Sequence, residues 1–214
     1  MIVFSTDLLP VSRKQRLFMD NDKLAKDENN SENGLLDEIL EWIESFVFAI
    51  FVVILVFIFL FRIVLVSGPS MNPTLSDGDR LIISHINYTP ERGDIVVLNS
   101  IGLNKTIIKR CIGTAGDIVR VDYNNNSVSV NGENVPQDYI NEVMNVLPIF
   151  DAKYCVDSGV YEYAVPDGKI FVMGDNRNHS TDSRSAYVGF VDLEDVLGKA
   201  IFRIIPFDSF GKIG

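Results

Sequence analysis

The run Thr106-Ile107-Ile108-Lys109-Arg110-Cys111-Ile112-Gly113-Thr114-Ala115-Gly116-Asp117-Ile118-Val119-Arg120-Val121-Asp122-Tyr123 contains two short stretches rich in Ile and Val, 106–112 and 117–123, separated by a glycine-bounded turn. Such stretches read as strands, because branched side chains pack well on a pleated surface. The signature recurs at Arg80–Ile86, Asp94–Leu98, Ser127–Val130, Val160–Val165, Lys169–Met173 and Ala200–Ile205. Asp77-Gly78, Asn131-Gly132 and Asp167-Gly168 supply turns between these runs. Many short strands without regular helix alternation predict a mainly β fold, an antiparallel β domain. Residues 137–158 break the pattern and are expected to form a small insertion.

Upstream of the strands the character changes. Leu35, Leu36, Ile39, Leu40 and Ile43 recur at helical spacing, with Asp37, Glu38, Glu41 and Glu44 on the other face. Residues 35–45 are therefore expected to form an amphipathic juxtamembrane helix. Phe46 to Phe61 contains no polar or charged residue, and residues 46–66 are interrupted only by Arg62. At 1.5 Å per residue that stretch spans about 30 Å, the thickness of a bilayer core. It is expected to be a transmembrane helix, with Trp42 at one boundary and Arg62 snorkelling at the other. Residues 1–34 end in Asp27-Glu28-Asn29-Asn30-Ser31-Glu32-Asn33-Gly34, too polar to pack, and read as a flexible tail that is not a cleaved secretory signal.

Composition excludes several function classes. A net charge of -10 argues against nucleic acid as a partner, since phosphate backbones are bound by clustered Lys and Arg. Cys111 and Cys155 lack metal-binding spacing and read as free thiols, and His85 and His179 are the only histidines. No metal and no cofactor is therefore expected, and a Ser-His-Asp triad has few candidates.

Three segments carry groups able to do chemistry. Ser70 lies in Ser67-Gly68-Pro69-Ser70-Met71-Asn72-Pro73-Thr74-Leu75, where Gly68 permits close backbone approach and the two prolines stiffen a short loop. Such a loop holds a hydroxyl in a fixed place, although an ordinary loop serine fits the same stretch. Lys109 sits in an apolar strand, where burial would disfavour its ammonium form and yield a neutral amine usable as a general base. A solvent-facing lysine beside Arg110 is the plainer alternative. The third segment, Gly174-Asp175-Asn176-Arg177-Asn178-His179-Ser180-Thr181-Asp182-Ser183-Arg184, is dense in short polar side chains and follows directly on a strand. Asp182 and Arg184 are placed there to form a bidentate pair.

Read in order behind an apolar span, these segments resemble the bacterial type I signal peptidases, Ser-Lys serine endopeptidases of peptidase family S26, in their Gram-positive-like branch. The matching stretches are Gly68–Leu75, Gly93–Val96, Lys109–Asp117 and Gly174–Arg184. The resemblance implies an antiparallel β catalytic domain of the signal-peptidase/LexA-like type over 67–214, preceded by one transmembrane α-helix. It implies Ser70 as nucleophile and Lys109 as general base, with Ser180 hydrogen-bonded to the Lys109 amine. Asp182 and Arg184 would hold the loop, and Met71 and Pro73 would shape the floor of the site. Gly68 stands where some members carry a serine that donates to the oxyanion, so the Ser70 N–H is the one donor assigned.

The implied reaction is removal of N-terminal signal peptides from exported preproteins, cutting after small residues of the Ala-x-Ala kind. The implied setting is the bacterial cell membrane, single-pass, with a cytoplasmic tail, an extracytoplasmic catalytic domain and membrane lipid beside the site. A self-cleaving repressor-type Ser-Lys protease would carry a DNA-binding half where this chain has its apolar span. A silent peptide-binding module would have no need of Ser70, Lys109 and Ser180 together.

Overall fold

The apolar run and part of its acidic lead-in form one continuous helix, α1 (Glu38–Ile58), long and apolar enough to cross a membrane. The helix belongs to a computed structural model that describes residues 38–58, 61–86, 88–140, 142–147 and 152–213. The expected tail, 1–34, lies outside the described residues. Helical lead-in and apolar segment are thus not separate elements, and the side chains of α1 are exposed along its length, Trp42 and Phe46 among them.

The expectation of helix through Val66 is corrected, because Phe61–Leu65 is a strand, β1. It pairs antiparallel with β2 (Arg80–Ser84), Arg62 opposite Ile83 and Val64 opposite Leu81. A continuous apolar run suits either a lipid-facing helix or a sheet strand, and here the partner strand decides. Val64 packs against the core and Val66 is buried in it, while Arg62 is exposed on the strand rather than snorkelling from the end of a helix.

The remaining strands follow the sequence closely: β3 (Ile95–Ser100), β4 (Lys105–Gly113), β5 (Ile118–Asp122), β6 (Ser127–Val130) and β7 (Glu133–Asn134). After 137–140 and 142–147, which are irregular, come β8 (Cys155–Asp157), β9 (Val160–Ala164), β10 (Lys169–Met173), β11 (Val191–Asp192), β12 (Val196–Ile205) and β13 (Gly211–Lys212). They make an eight-stranded sheet in the order β1-β2-β12-β3-β4-β10-β11, with β13 beside β12, and a five-stranded sheet in the order β7-β6-β5-β9-β8. All the pairings are antiparallel. Asn131 and Gly132 both have positive φ and join β6 to β7 as a two-residue hairpin turn, a conformation that Asn and Gly adopt readily.

Both faces of the large sheet are covered. Val66, Met71, Leu75, Leu81, Ile83, Ile95 and Val97 fill one side, and Val96, Leu98, Ile107, Cys111, Ile170 and Val172 the other. This two-sided burial explains why Ile95-Val96-Val97-Leu98 is an unbroken apolar run rather than an alternating one. A third cluster, with Val119, Val121, Tyr163, Phe171 and Met173, joins the second sheet to the β4–β10 end of the first.

Both cysteines are free, Cys111 buried and Cys155 exposed. Burial pushes the Cys111 thiol up to about 12, leaving it protonated and unreactive at neutral pH. A thiol reagent is therefore expected to label Cys155 alone in the native protein and both cysteines after denaturation, which counting labelled peptides by mass spectrometry checks.

Candidate active site

The chain leaves β1 at Leu65 and turns sharply through Gly68, whose φ of +88° is a left-handed conformation that a side chain would strain. The Gly68 N–H donates to Asp77 Oδ1 at 2.7 Å and fixes that turn. Ser70 follows, with Met71 driven into the core at 1% exposure. Across the cleft, β4 brings Lys109 to the same point. Lys109 is 3% exposed, and its Nζ donates to Ser70 Oγ at 2.7 Å and to the Ile108 carbonyl at 2.8 Å. Burial pulls the amine down from an ordinary 10.5 to about 8, only partly opposed by the Asp182 carboxylate. The plain alternative of a solvent-facing lysine does not hold.

The Gly174–Arg184 segment clamps the nucleophile loop from behind. The Asn176 N–H donates to the Ser70 carbonyl at 3.1 Å, and Asn176 Nδ2 donates to the Pro69 carbonyl at 3.1 Å. Gly174 lies so close to the Ser70 carbonyl and to Ser180 that any Cβ there would collide with both. Asp182 Oδ2 accepts from the Gly174 N–H at 2.9 Å. Both Asp182 oxygens also accept from Arg184, Nε at 2.8 Å and Nη2 at 2.9 Å, in the anticipated bidentate pair. Burial alone would raise the Asp182 pKa, but the Arg184 guanidinium outweighs it and holds the carboxyl below its ordinary value.

Ser180 departs from expectation. Its Oγ is buried and makes no hydrogen bond to the Lys109 amine, which donates to Ser70 and Ile108 instead. Pro73 also departs: it follows a cis peptide bond, is exposed, and is not among the residues lining the cleft, whereas Met71 and Gly68 are.

Sequence reasoning missed a second buried clamp. Arg110 donates to Asp175 through Nε at 2.9 Å and Nη2 at 2.8 Å, and Thr74 Oγ1 donates to the same carboxylate at 2.6 Å. This ties β4, the nucleophile loop and the end of β10 together beside Ser70. Its only signal in the sequence was that Arg110 follows Lys109 and Asp175 follows Gly174, within segments already singled out.

The cleft encloses about 330 Å³ between Val64–Met71 on one side and Lys105–Lys109 on the other. β10 pairs with β4 only from Arg110 onward, so the first half of β4 has an open edge. The Ile108 carbonyl faces away from β3, as its bond to Lys109 Nζ shows, and so does Thr106 by strand alternation. An extended peptide laid here would find main-chain partners on β4 and a serine hydroxyl paired with a buried amine.

A family model described as signal peptidase, peptidase S26, matches residues 39–205. The chain belongs to that family. Signal peptidase I of Bacillus licheniformis is 37% identical over 186 residues, 86% of this chain and 95% of its own length. Signal peptidase IB of Staphylococcus aureus strain COL is 34% identical over 182 residues, 81% of this chain and 93% of its own. A crystal structure of a signal peptidase I from Enterococcus faecalis V583 is 30% identical, overlaps 52% of this chain and 97% of that one, and superposes with a TM-score of 0.41. As a member of this family, the protein is a serine peptidase that removes signal peptides, and the one long apolar helix among the described residues fits a membrane-anchored signal peptidase.

Proposed function

We propose that this signal peptidase works by a Ser-Lys dyad, with Ser70 as nucleophile and Lys109 as general base. The carrying observation is the 2.7 Å contact between Ser70 Oγ and a lysine amine whose burial brings its pKa down to about 8. A serine hydroxyl is a weak nucleophile, and a desolvated amine within hydrogen-bond reach activates it without histidine.

In the first half-reaction Ser70 Oγ attacks the scissile carbonyl carbon while its proton passes to Lys109 Nζ. The Ser70 N–H donates to the developing oxyanion. As the tetrahedral intermediate collapses, Nζ gives that proton to the departing amine, and the mature protein leaves with a new N-terminus. Nζ then takes a proton from water as its oxygen attacks the ester carbonyl carbon, and when that second tetrahedral intermediate collapses Nζ returns the proton to Ser70 Oγ, freeing the signal peptide as an acid that ionises in water. The substrate adds a strand along the open edge of β4, using Thr106 and Ile108, with β1 on the other side. Shallow space around Met71 and Ile107 accepts small side chains, which gives Ala-x-Ala specificity. Helix α1 spans the membrane, with the tail cytoplasmic, the β domain outside and lipid beside the site. The domains follow as a tail over 1–34, this anchor, and a catalytic domain from about 67 onward with an insertion near 137–158.

Cleavage of a preprotein carrying an Ala-x-Ala site tests the specificity. The mature product is expected to begin directly after the second Ala, and a Phe there is expected to stop cleavage. Cleavage at another bond, or indifference to that Phe, would contradict it. The dyad also fixes a pH dependence. Only the neutral amine accepts a proton, so kcat/KM is expected to rise with pH, half-maximal near pH 8. In the unfolded chain the lysine returns to its ordinary 10.5, so between pH 8 and 10.5 the unfolded state binds the extra proton and stability rises with pH. Lys109→Met, which removes that penalty, is expected to raise the Tm measured at pH 7, by roughly 1–3 kcal/mol of added stability.

A further inference from the structure

We propose that the cleft continues past Ser70 into a subsite for the first residues of the mature protein, where a carboxylate side chain is favoured and lysine or arginine disfavoured. This rests on the reading of Ser70 and Lys109 as the reacting pair. A chain whose scissile carbonyl sits at Ser70 has one limb between β1 and β4, and its other limb must leave past the opposite end of the cleft. His179 and Thr181 also line the cleft, and the second limb is assigned a path over them. The same two residues border a second hollow of about 300 Å³, lined also by Arg177, Asn178, Ser180 and Tyr187. The two hollows are therefore neighbours across one short wall, and a peptide running over His179 passes from the first into the second.

Charge gives this path its selectivity. The chain carries 29 acidic side chains against 19 basic, yet among the described residues no Asp or Glu lines either hollow. Lys105 and Lys109 line the first, Arg177 and His179 the second. Arg177 is 2% exposed, and its Nη2 is buried without a hydrogen-bond partner. Its Nε donates to the Gly174 carbonyl at 3.2 Å and its Nη1 to Gln137 at 3.2 Å, both uncharged. The nearest buried carboxylates make their ion pairs with other arginines, Asp175 with Arg110 and Asp182 with Arg184. Glu142 and Asp175 border a separate hollow of about 170 Å³ that Arg177 also lines, and Asn178 Nδ2 donates to Glu142 at 3.1 Å. The hollow behind His179 thus carries the Arg177 guanidinium, whose hydrogen bonds to oxygen go to uncharged acceptors, hydroxyls on Ser180 and Thr181, and the exposed ring of Tyr187. Those groups suit a carboxylate and repel an ammonium.

The test uses the full-length protein in detergent and three preproteins identical through the Ala-x-Ala site. They carry Glu-Glu, Gln-Gln or Lys-Lys at the second and third residues of the mature chain. Wild type is expected to cleave the Glu-Glu substrate with roughly fivefold higher kcat/KM than the Lys-Lys one, with Gln-Gln between, and added salt is expected to shrink the gap. His179→Glu, at an exposed side chain, is expected to reverse that order, and Tyr187→Glu, also exposed, gives an independent second reversal if the first variant does not fold. Reversal of preference is not a result that partial unfolding produces. Equal cleavage of all three substrates by wild type, or unchanged order in a folded charge-reversal variant, overturns the subsite while leaving the Ser-Lys reading intact. Failure of wild type to cleave any of the three overturns that reading and the subsite with it.

Discussion

Lys109→Ala and Ser70→Ala are each expected to leave a folded protein that cleaves preprotein at least about a thousandfold more slowly than wild type. The two losses are expected to be alike and non-additive, so that the double variant is no worse than either single one. Oγ and Nζ act as one unit: without the amine the hydroxyl keeps its proton, and without the hydroxyl the amine has nothing to activate. Cleavage rates at equal folded concentration, with folding checked by circular dichroism, measure this. Lys109→Arg is expected to fail as completely, because a guanidinium remains protonated and supplies no lone pair. Near-normal rates in Lys109→Ala would mean that another base serves Ser70.

The second large effect concerns stability. Asp182→Leu leaves the Arg184 guanidinium buried without its carboxylate, and such an uncompensated charge costs about 3–5 kcal/mol. Both side chains of that pair are 0% exposed, so water offers no substitute. The loss corresponds to a fall in Tm of roughly 10 °C for a domain of this size. Asp182 also accepts from the Gly174 N–H, and the adjoining Asn176 holds the Ser70 carbonyl, so activity is expected to fall with stability. Arg120 and Glu162 provide the contrast, since their pair is 46% and 37% exposed on the second sheet. Arg120→Ala is expected to shift stability by less than about 1 kcal/mol. Thermal unfolding of the two variants side by side separates a buried clamp from a surface ion pair.

Much of this architecture was legible from β-branched runs and turn glycines. Each of the eight anticipated strands is present, most within a residue or two of the expected bounds, because those runs have only one way to bury their side chains. β1 was not legible, since Ile63-Val64-Leu65 continues an apolar run and only the partner strand β2 shows that the chain has left its helix. The short strands β7, β8, β11 and β13 are too brief to carry a periodicity. At the site, the apolar neighbours of Lys109 allowed a buried or a solvent-facing lysine and the fold decides for burial, while the Asp182–Arg184 pair was legible from close spacing. The Arg110–Asp175 clamp joins residues 65 positions apart, a closeness that only the folded sheet creates. The Ser180 hydroxyl, expected on Lys109, depends on how a loop settles against Gly174, and no pattern of residue types fixes that.

The central claim is that Ser70 forms the covalent bond to substrate. An irreversible peptidyl fluorophosphonate built on Ala-x-Ala tests it directly, through peptide mapping of the labelled enzyme by mass spectrometry. One adduct per chain on Ser70 is the expected result, absent from Ser70→Ala and formed much more slowly by Lys109→Ala. An adduct on another residue, or labelling of Ser70 at an undiminished rate without Lys109, would contradict the dyad.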